Sequence, residues 1–313
     1  MGYAALSNST TASNNTALGH QALITNVTGT DNTGIGYQAL YFNTASNNTA
    51  VGKQALIANT TGAANVALGA LALDANTTGS QNIGVGQYAL TSQTTASANT
   101  AVGADAGGGV TTGTTNVFIG YKAGNYQLGL TTGIGNVLVG PYVDPTSATS
   151  NDQHGFGYNL DCAANYTTLG NGANDSRLAF GGTTWSAVSD ERVKKDIEDA
   201  EAGLSFINDL RPVTFNYKAK GDIPKEFKGY KEGSTEAYRN NKRQHGFIAQ
   251  EVKEVIDNHS EIADGFKMWH ELEHNGQQEI AEGYLIPILT KAVQELSAKC
   301  DSLQSEINIL KGE

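Results

Sequence analysis

The sequence predicts a mainly β N-terminal repeat region, a β-roll or β-solenoid, followed by an α+β module that ends in a coiled-coil helix. Three observations predict this. A short motif of Asn, small residues, an aliphatic residue and Gly returns about every 17 residues through the first 140. Charge is concentrated in the last 125 residues. The final helix carries an unbroken heptad of apolar residues.

The repeat comes first in the chain. Asn15-Thr16-Ala17-Leu18-Gly19-His20-Gln21-Ala22-Leu23 returns as Asn32-Thr33-Gly34-Ile35-Gly36-Tyr37-Gln38-Ala39-Leu40. Copies then start at Asn48, Asn65, Asn82, Asn99, Asn116 and Asn136, with steps of 17, 16, 17, 17, 17, 17 and 20. Helical repeats are longer and rich in Lys, Glu and Arg, whereas residues 1–188 hold only Lys53, Lys122, Arg177 and seven Asp. The units therefore read as short strands divided by Asn, Thr and Gly turns. One copy has too little core to stand alone, so successive copies must stack. The Asn column then forms a hydrogen-bonded ladder between coils, and Gly permits tight corners. Coils about 4.8 Å apart give a rod on the order of 40 Å for eight copies.

These motifs resemble the NTA[VL]G-type head repeats of trimeric autotransporter adhesins and of many phage tail fibres, over roughly residues 2–140. The resemblance implies a β-roll or β-solenoid within a trimer. Gly2-Tyr3-Ala4-Ala5-Leu6 already matches the second half of a repeat, so the chain opens in mid-repeat and reads as a truncated piece of a longer fibre. Pro141, Pro145 and the Gly-rich stretch to Gly182 predict a neck of irregular strands over 141–188, where Cys162 and His154 read as structural.

Composition excludes several classes. The net charge is −11, which argues against a nucleic-acid surface. No run approaches the 18 apolar residues of a membrane span, and two cysteines cannot make a disulfide scaffold.

The charged module opens at Ser189-Asp190-Glu191-Arg192-Val193-Lys194-Lys195-Asp196-Ile197. Apolar spacing predicts a helix over about 199–210 with Leu204, Ile207 and Leu210 on one face, stopped by Arg211-Pro212. Val213, Phe215 and Tyr217 alternate as a strand. His245-Gly246-Phe247-Ile248-Ala249-Gln250-Glu251-Val252 is expected to open a second helix with Ile248, Val252 and Val255 inward. A long helix starts at about Tyr284. Its positions Ile286, Leu289, Val293, Leu296, Cys300, Leu303, Ile307 and Leu310 step by 3 and 4, a coiled-coil seam with β-branched residues and Cys300 at a and leucines at d. That pattern alone favours two strands.

The four ordered blocks resemble the endosialidase-type intramolecular chaperone of phage tailspikes and fibres, across nearly all of residues 189–313. The blocks are the S-D-x-R-x-K-K-[DN]-I opening, the L-x-P-V-x-F-x-Y strand, H-G-F-I-A-Q-E-V, and Tyr284-Leu285-Ile286-Pro287-Ile288-Leu289. The resemblance implies a module that trimerises, guides folding of the fibre and then cuts itself off. It implies Ser189 as nucleophile, Lys194 as the residue that activates it, and Val188–Ser189 as the scissile bond. Asp190, Arg192 and His245 match family positions and are given supporting roles. A serine hydroxyl is a weak nucleophile at neutral pH, and a desolvated lysine can serve as its base. Five residues in a strand span about 16 Å, and in a helix the two side chains diverge, so either the chain turns sharply at Ser189 or Lys194 acts on a neighbouring subunit's serine.

A rival motif, His270-Glu271-Leu272-Glu273-His274, satisfies the H-E-x-x-H zinc-peptidase pattern, which works only on a helix. Here Asn275-Gly276 follows at once, a type I′ hairpin signal, and the residues alternate as a strand, which places the two His too far apart for one zinc. No metal and no cofactor are expected. The domains expected are 1–140 repeat shaft, 141–188 neck, 189–283 chaperone and autopeptidase, and 284–313 coiled coil. The whole reads as a homotrimeric tail-fibre or spike fragment of the virion, binding a host cell-surface receptor without membrane insertion. Its chaperone is shed in the host cytoplasm after one intramolecular cut per chain. The alternative is a bacterial trimeric surface adhesin without active peptidase.

Overall fold

The structure is a computed structural model and describes residues 2–187, 189–262 and 266–311. It divides into two units, Met1–Val193 and Lys194–Glu313, each with its own core.

In the first unit each repeat contributes one three-residue strand. These are β1 (Thr16–Leu18), β2 (Thr33–Ile35), β3 (Thr49–Val51), β4 (Val66–Leu68), β5 (Ile83–Val85), β6 (Thr100–Val102), β7 (Val117–Ile119) and β8 (Val137–Val139). Every strand pairs in parallel with the next copy, Thr33 facing Thr49 and Val66 facing Ile83, so the repeats are the coils of a β-solenoid. After β9 (Asp144–Pro145) the parallel stack runs on through β10 (Gln153–Tyr158), β11 (Asp161–Cys162) on β9, and β12 (Tyr166–Asn171) on β10. Two antiparallel strands, β13 (Asn174–Ala179) and β14 (Trp185–Ala187), finish this sheet.

Two columns explain the repeat chemistry. From Asn32 on, each Asn of the ladder is buried, and its Oδ1 accepts the backbone N–H of the residue at the same place in the next coil, as in Asn48 N to Asn32 Oδ1 at 2.9 Å and Asn65 N to Asn48 Oδ1 at 2.9 Å. Its amide donates to a turn carbonyl, Asn65 Nδ2 to Gly79 O at 2.9 Å. Replacing one Asn would strand a buried donor and a buried acceptor together, at roughly 1–3 kcal/mol each. The Gly that closes each strand has φ between +20° and +160°, +134° at Gly36, and a Cβ there would lie 2.3 Å from the carbonyl oxygen of Gly52 in the next coil. Only Gly fits a stack this close.

The core lies inside the coil. Leu23, Leu40, Leu56, Leu73 and Leu90 are fully buried, and all five are held at left-handed φ of 51–54°. The left-handed conformation costs an L-residue roughly 1–2 kcal/mol. Burial of a leucine stabilises by about 1.5–3 kcal/mol, and each of these residues also donates its N–H to the next coil, Leu40 N to Ala55 O at 3.0 Å. The middle residue of each strand, Ala50, Ala67 or Ala101, points inward against this leucine stack. Outward, the third residue of each of β1 to β8 and the fourth of β10 and β12 fall in register: Leu18, Ile35, Val51, Leu68, Val85, Val102, Ile119, Val139, Phe156 and Leu169. Leu18, Leu68, Val102, Ile119, Phe156 and Leu169 are exposed in the single chain.

The stretched copy between Asn116 and Asn136 carries three extra residues in its turn. The insertion is anchored by Asp144 of the next coil, 1% exposed. Its carboxylate accepts the N–H groups of Tyr126 at 2.9 Å, Leu128 at 3.3 Å and Gln127 between them.

The second unit is small and mixed. Helix α1 (Leu204–Asp209) is shorter than the apolar spacing predicts, because its start is set from outside. The N–H of Leu204 is capped by Glu295 Oε2 at 2.9 Å, and a Cβ on Gly203 would collide with that carboxylate at 2.7 Å. Strand β15 (Val213–Phe215) pairs antiparallel with β16 (Gln244–Gly246), and α2 (Ala249–Asn258) follows. His245 and Gly246 therefore lie on a strand, and the expected second helix starts only at Ala249. Strands β17 (Trp269–Glu271) and β18 (Gln278–Ile280) form a hairpin. Its connection is a four-residue loop, closed by Leu272 N–H to Gln277 O at 2.9 Å with Gly276 alone at positive φ in the loop, so the two-residue type I′ turn expected from Asn-Gly is not formed. A 3-10 turn at Glu282–Tyr284 leads into α3 (Leu285–Lys311). Phe206, Val252 and Met268 centre the core, joined by Leu285 and Ile288 at the start of α3. The heptad residues Ile286, Leu289, Val293, Leu296, Leu303, Ile307 and Leu310 all face solvent in the single chain, and Cys300 with them.

Candidate functional site

The predicted cleavage region lies between β14 and the second unit. Val188, the residue before the expected cut, lies outside the described residues. Ser189 follows as exposed, irregular chain. The chain then turns through one 3-10 turn, Glu191–Val193, closed by Val193 N–H to Asp190 O at 3.2 Å. An extended run and a continuous α-helix from Ser189 to Lys194 are thus both replaced by a tight turn.

Asp190 and Arg192 are brought together and build that turn. Asp190 Oδ1 accepts the backbone N–H of Arg192 at 2.9 Å, and the guanidinium binds the same carboxylate, Nη2 to Oδ2 at 2.6 Å. The side-chain bond to Arg192, helped by its backbone N–H, holds the Asp190 carboxyl below the usual carboxylate range. Both side chains are exposed. Lys194 is exposed and opens the second unit. His245 lies in the middle of β16 opposite Thr214, on the rim of a groove shared with Phe247 and Glu282.

The second unit also holds a histidine that apolar periodicity could not flag. His259, at the end of α2, is 9% exposed. Its Nδ1 meets Glu261 Oε1 at 2.6 Å and its Nε2 meets Asp209 Oδ2 at 2.8 Å, with the edge of the Phe206 ring against it. Glu261 first, then Asp209, raises the imidazole above its ordinary value, and His259 in turn lowers Glu261. The cluster ties the end of α1 to the end of α2. A lone His after an amphipathic helix carries no such sequence signal, because its two partners lie 50 residues before it and two after.

The H-E-x-x-H segment is β-structured. His270 sits on β17 and pairs across the hairpin with Glu279, Nε2 to Oε2 at 3.0 Å, while His274 is in the connecting loop. The two cannot share the helical face the zinc motif needs. Among the described residues no group of three His, Cys, Asp or Glu is placed to hold a metal ion. Among them, too, no helix is long and apolar enough to cross a membrane.

Residues 189–261 match the family model described as chaperone of endosialidase. The match opens at Ser189, the residue after the expected cut, and takes in the 3-10 turn, α1, the β15–β16 pair, α2 and the His259 cluster. No curated protein and no solved structure matches the chain. A β-solenoid ahead of a chaperone-of-endosialidase segment fits a phage tail-fibre protein with a C-terminal intramolecular chaperone.

Proposed function

We propose that the chain is a section of a homotrimeric phage tail fibre used in host attachment. Its C-terminal module assembles three copies, guides the solenoids into register and then releases itself by cutting Val188–Ser189. The observation that carries this reading is the order of parts, a stacked solenoid passing at Ser189 into the matched segment.

Two apolar surfaces support assembly. The outward column of the solenoid runs unbroken from Leu18 to Leu169, and the α3 seam runs from Ile286 to Leu310. A soluble single chain does not leave contiguous apolar strips of this kind in water. Three-fold packing buries both, and the heptad's preference for two strands yields to the symmetry of the fibre it must match.

In the mechanism, Ser189 Oγ attacks the carbonyl carbon of Val188 while Lys194 takes the hydroxyl proton. The nitrogen that leaves is Ser189's own and takes the proton back from Lys194, so the Val188 acyl group moves from N to Oγ as an ester, and water hydrolyses that ester to a Val188 carboxylate and a restored Ser189 hydroxyl. Lys194 is exposed in the single chain. An ammonium becomes a usable base near neutral pH only when desolvated. Assembly supplies that desolvation, which makes the cut follow folding.

The test is expression of the intact chain and mass spectrometry of the products. The expected result is one fragment ending at Val188 and a second, of 125 residues, starting at Ser189. Ser189→Ala and Lys194→Ala should each give uncut, full-length trimers, and Lys195→Ala should be cut like wild type. Cleavage at the same bond in Ser189→Ala would show that an external protease does the work.

A further inference from the structure

We propose that the inserted turn of the solenoid builds a binding site for an uncharged oligosaccharide. This rests on the host-attachment reading and names the ligand class that attachment would use.

The insertion occurs in one coil only, and a buried carboxylate fixes it. Asp144 accepts three successive backbone N–H groups, from Tyr126 to Leu128, so the loop is held from beneath and cannot relax onto the coil. Its outward face presents Tyr126 and Gln127. Tyr126 packs on Tyr142, centroids 4.5 Å apart, and Tyr142 meets Tyr121 and Tyr158 at 5.3 and 5.8 Å. Three successive coils thus contribute to one tyrosine platform, and Tyr121, Tyr126 and Tyr158 are 45–49% exposed. Exposed, clustered aromatics on a rigid frame mark a contact surface, since each ring offers an apolar face and a hydroxyl at low entropic cost.

Next to the platform lies a cavity of about 520 Å³. Gln127 and Asn159, chain neighbours of Tyr126 and Tyr158, line it together with Asp161, Asp175 and Arg177; Val193 also lines it and leaves with the released module, so the cut opens the cavity on that side. Planar amide, carboxylate and guanidinium groups pair with adjacent hydroxyls two bonds at a time, while the ring faces take the C–H side of a sugar. The charge pattern narrows the class. The Asp175 side chain is 7% exposed and binds Arg177 Nε at 2.9 Å, and Arg177 also reaches the Asp161 carbonyl at 3.4 Å. The guanidinium is therefore already matched, and the two carboxylates outnumber it. An acidic polysaccharide would be repelled, and a neutral or N-acetylated one would not.

The test uses the cut wild-type fibre on an array of neutral and N-acetylated oligosaccharides and purified bacterial O-polysaccharides, with calorimetry on the best binder. Tyr158→Ala and Asn159→Ala should each weaken that binder roughly tenfold or more, with trimer and melting unchanged. Tyr37→Ala, on a distant coil, should bind like wild type. Hydroxyl-radical footprinting of the wild type with the same binder gives a readout free of variants, and protection should centre on Tyr126, Tyr142 and Tyr158. No bound saccharide, equal binding by the two pocket variants, or protection elsewhere overturns the site. Labelling of intact bacteria separates the two readings. Cells labelled through a protease-sensitive component, with no saccharide bound, leave attachment standing and overturn the sugar site. Saccharide binding without any labelled cells keeps the site and overturns attachment.

Discussion

Phe118 shows how one coil departs from its neighbours without breaking the stack. In the regular coils a left-handed Leu fills the core and the strand centre is Ala or Gly. At positions 107 and 124 the Leu is replaced by Gly, and the strand centre between them becomes Phe118, fully buried. A Cβ on Gly107 or Gly124 would meet the Phe118 ring at 2.6 or 2.5 Å, so the ring occupies the space two leucines fill elsewhere. Phe118→Ala should therefore destabilise the solenoid by about 3–5 kcal/mol through the cavity it leaves. Gly107→Leu alone should also destabilise, by overpacking. The triple change Phe118→Ala, Gly107→Leu, Gly124→Leu restores the regular pattern and should recover most of the loss, read as melting temperature and unfolding rate. Independent, additive effects would show that the three sites do not share one space. This trade was hidden in the sequence, where Gly107, Gly124 and Phe118 look like unrelated lapses. The Asn ladder was legible because each position repeats one demand, an acceptor for the next backbone N–H. It ends at β10, where Gln153 takes the Asn place: its N–H still donates to Asn136 Oδ1 at 3.0 Å, but its own Oε1 accepts no hydrogen bond.

Between α1 and α2 the His259 cluster predicts how the second unit responds to pH. The imidazole is raised above its ordinary 6.5, so its contribution is complete below pH 6.5 and is lost as pH rises through the raised value. Glu261 is lowered from 4.5, so its contribution is complete above pH 4.5 and is lost as pH falls through the lowered value. The clamp is whole between those limits. Hydrogen exchange of α1 and α2, corrected for intrinsic rate, should be slower at pH 6 than at pH 8.5, and His259→Gln should remove the difference. An unchanged pH response in that variant would place the titrating group elsewhere. At this scale the fold is unevenly legible in the sequence. The long helix followed from spacing alone, and the apolar stripe along it faces solvent in the single chain. The start of α1 did not, because Glu295 sets it from α3. The shift of His245 from helix to strand did not, because β16 forms only by pairing with β15 across a long excursion.

For the whole molecule, parallel pairing of every coil with the next makes most contacts non-local between repeats and slow to establish correctly. In the proposed trimer, three chains would also have to align their outward columns and would face the same problem in triplicate. A chain ending at Val188 should therefore aggregate or stay monomeric when expressed alone, whereas the fibre released from the intact chain should stay trimeric and resist heat. Light scattering and sedimentation separate the outcomes, and a well-folded trimer from the short chain would remove the need for the chaperone. The tyrosine platform was beyond sequence reading for the same non-local reason: Tyr121, Tyr142 and Tyr158 meet only because coils stack. That stacking also has a mechanical side. The inter-coil bonds run along the solenoid axis, while the strands lie across it. A pull on the two ends loads those bonds in series, so each solenoid yields by peeling one coil at a time, releasing about 55–60 Å of chain for each 4.8 Å of rod. A shaft made this way is stiff up to a threshold and then pays out length in equal steps, absorbing the work of a tug that would snap a rigid joint.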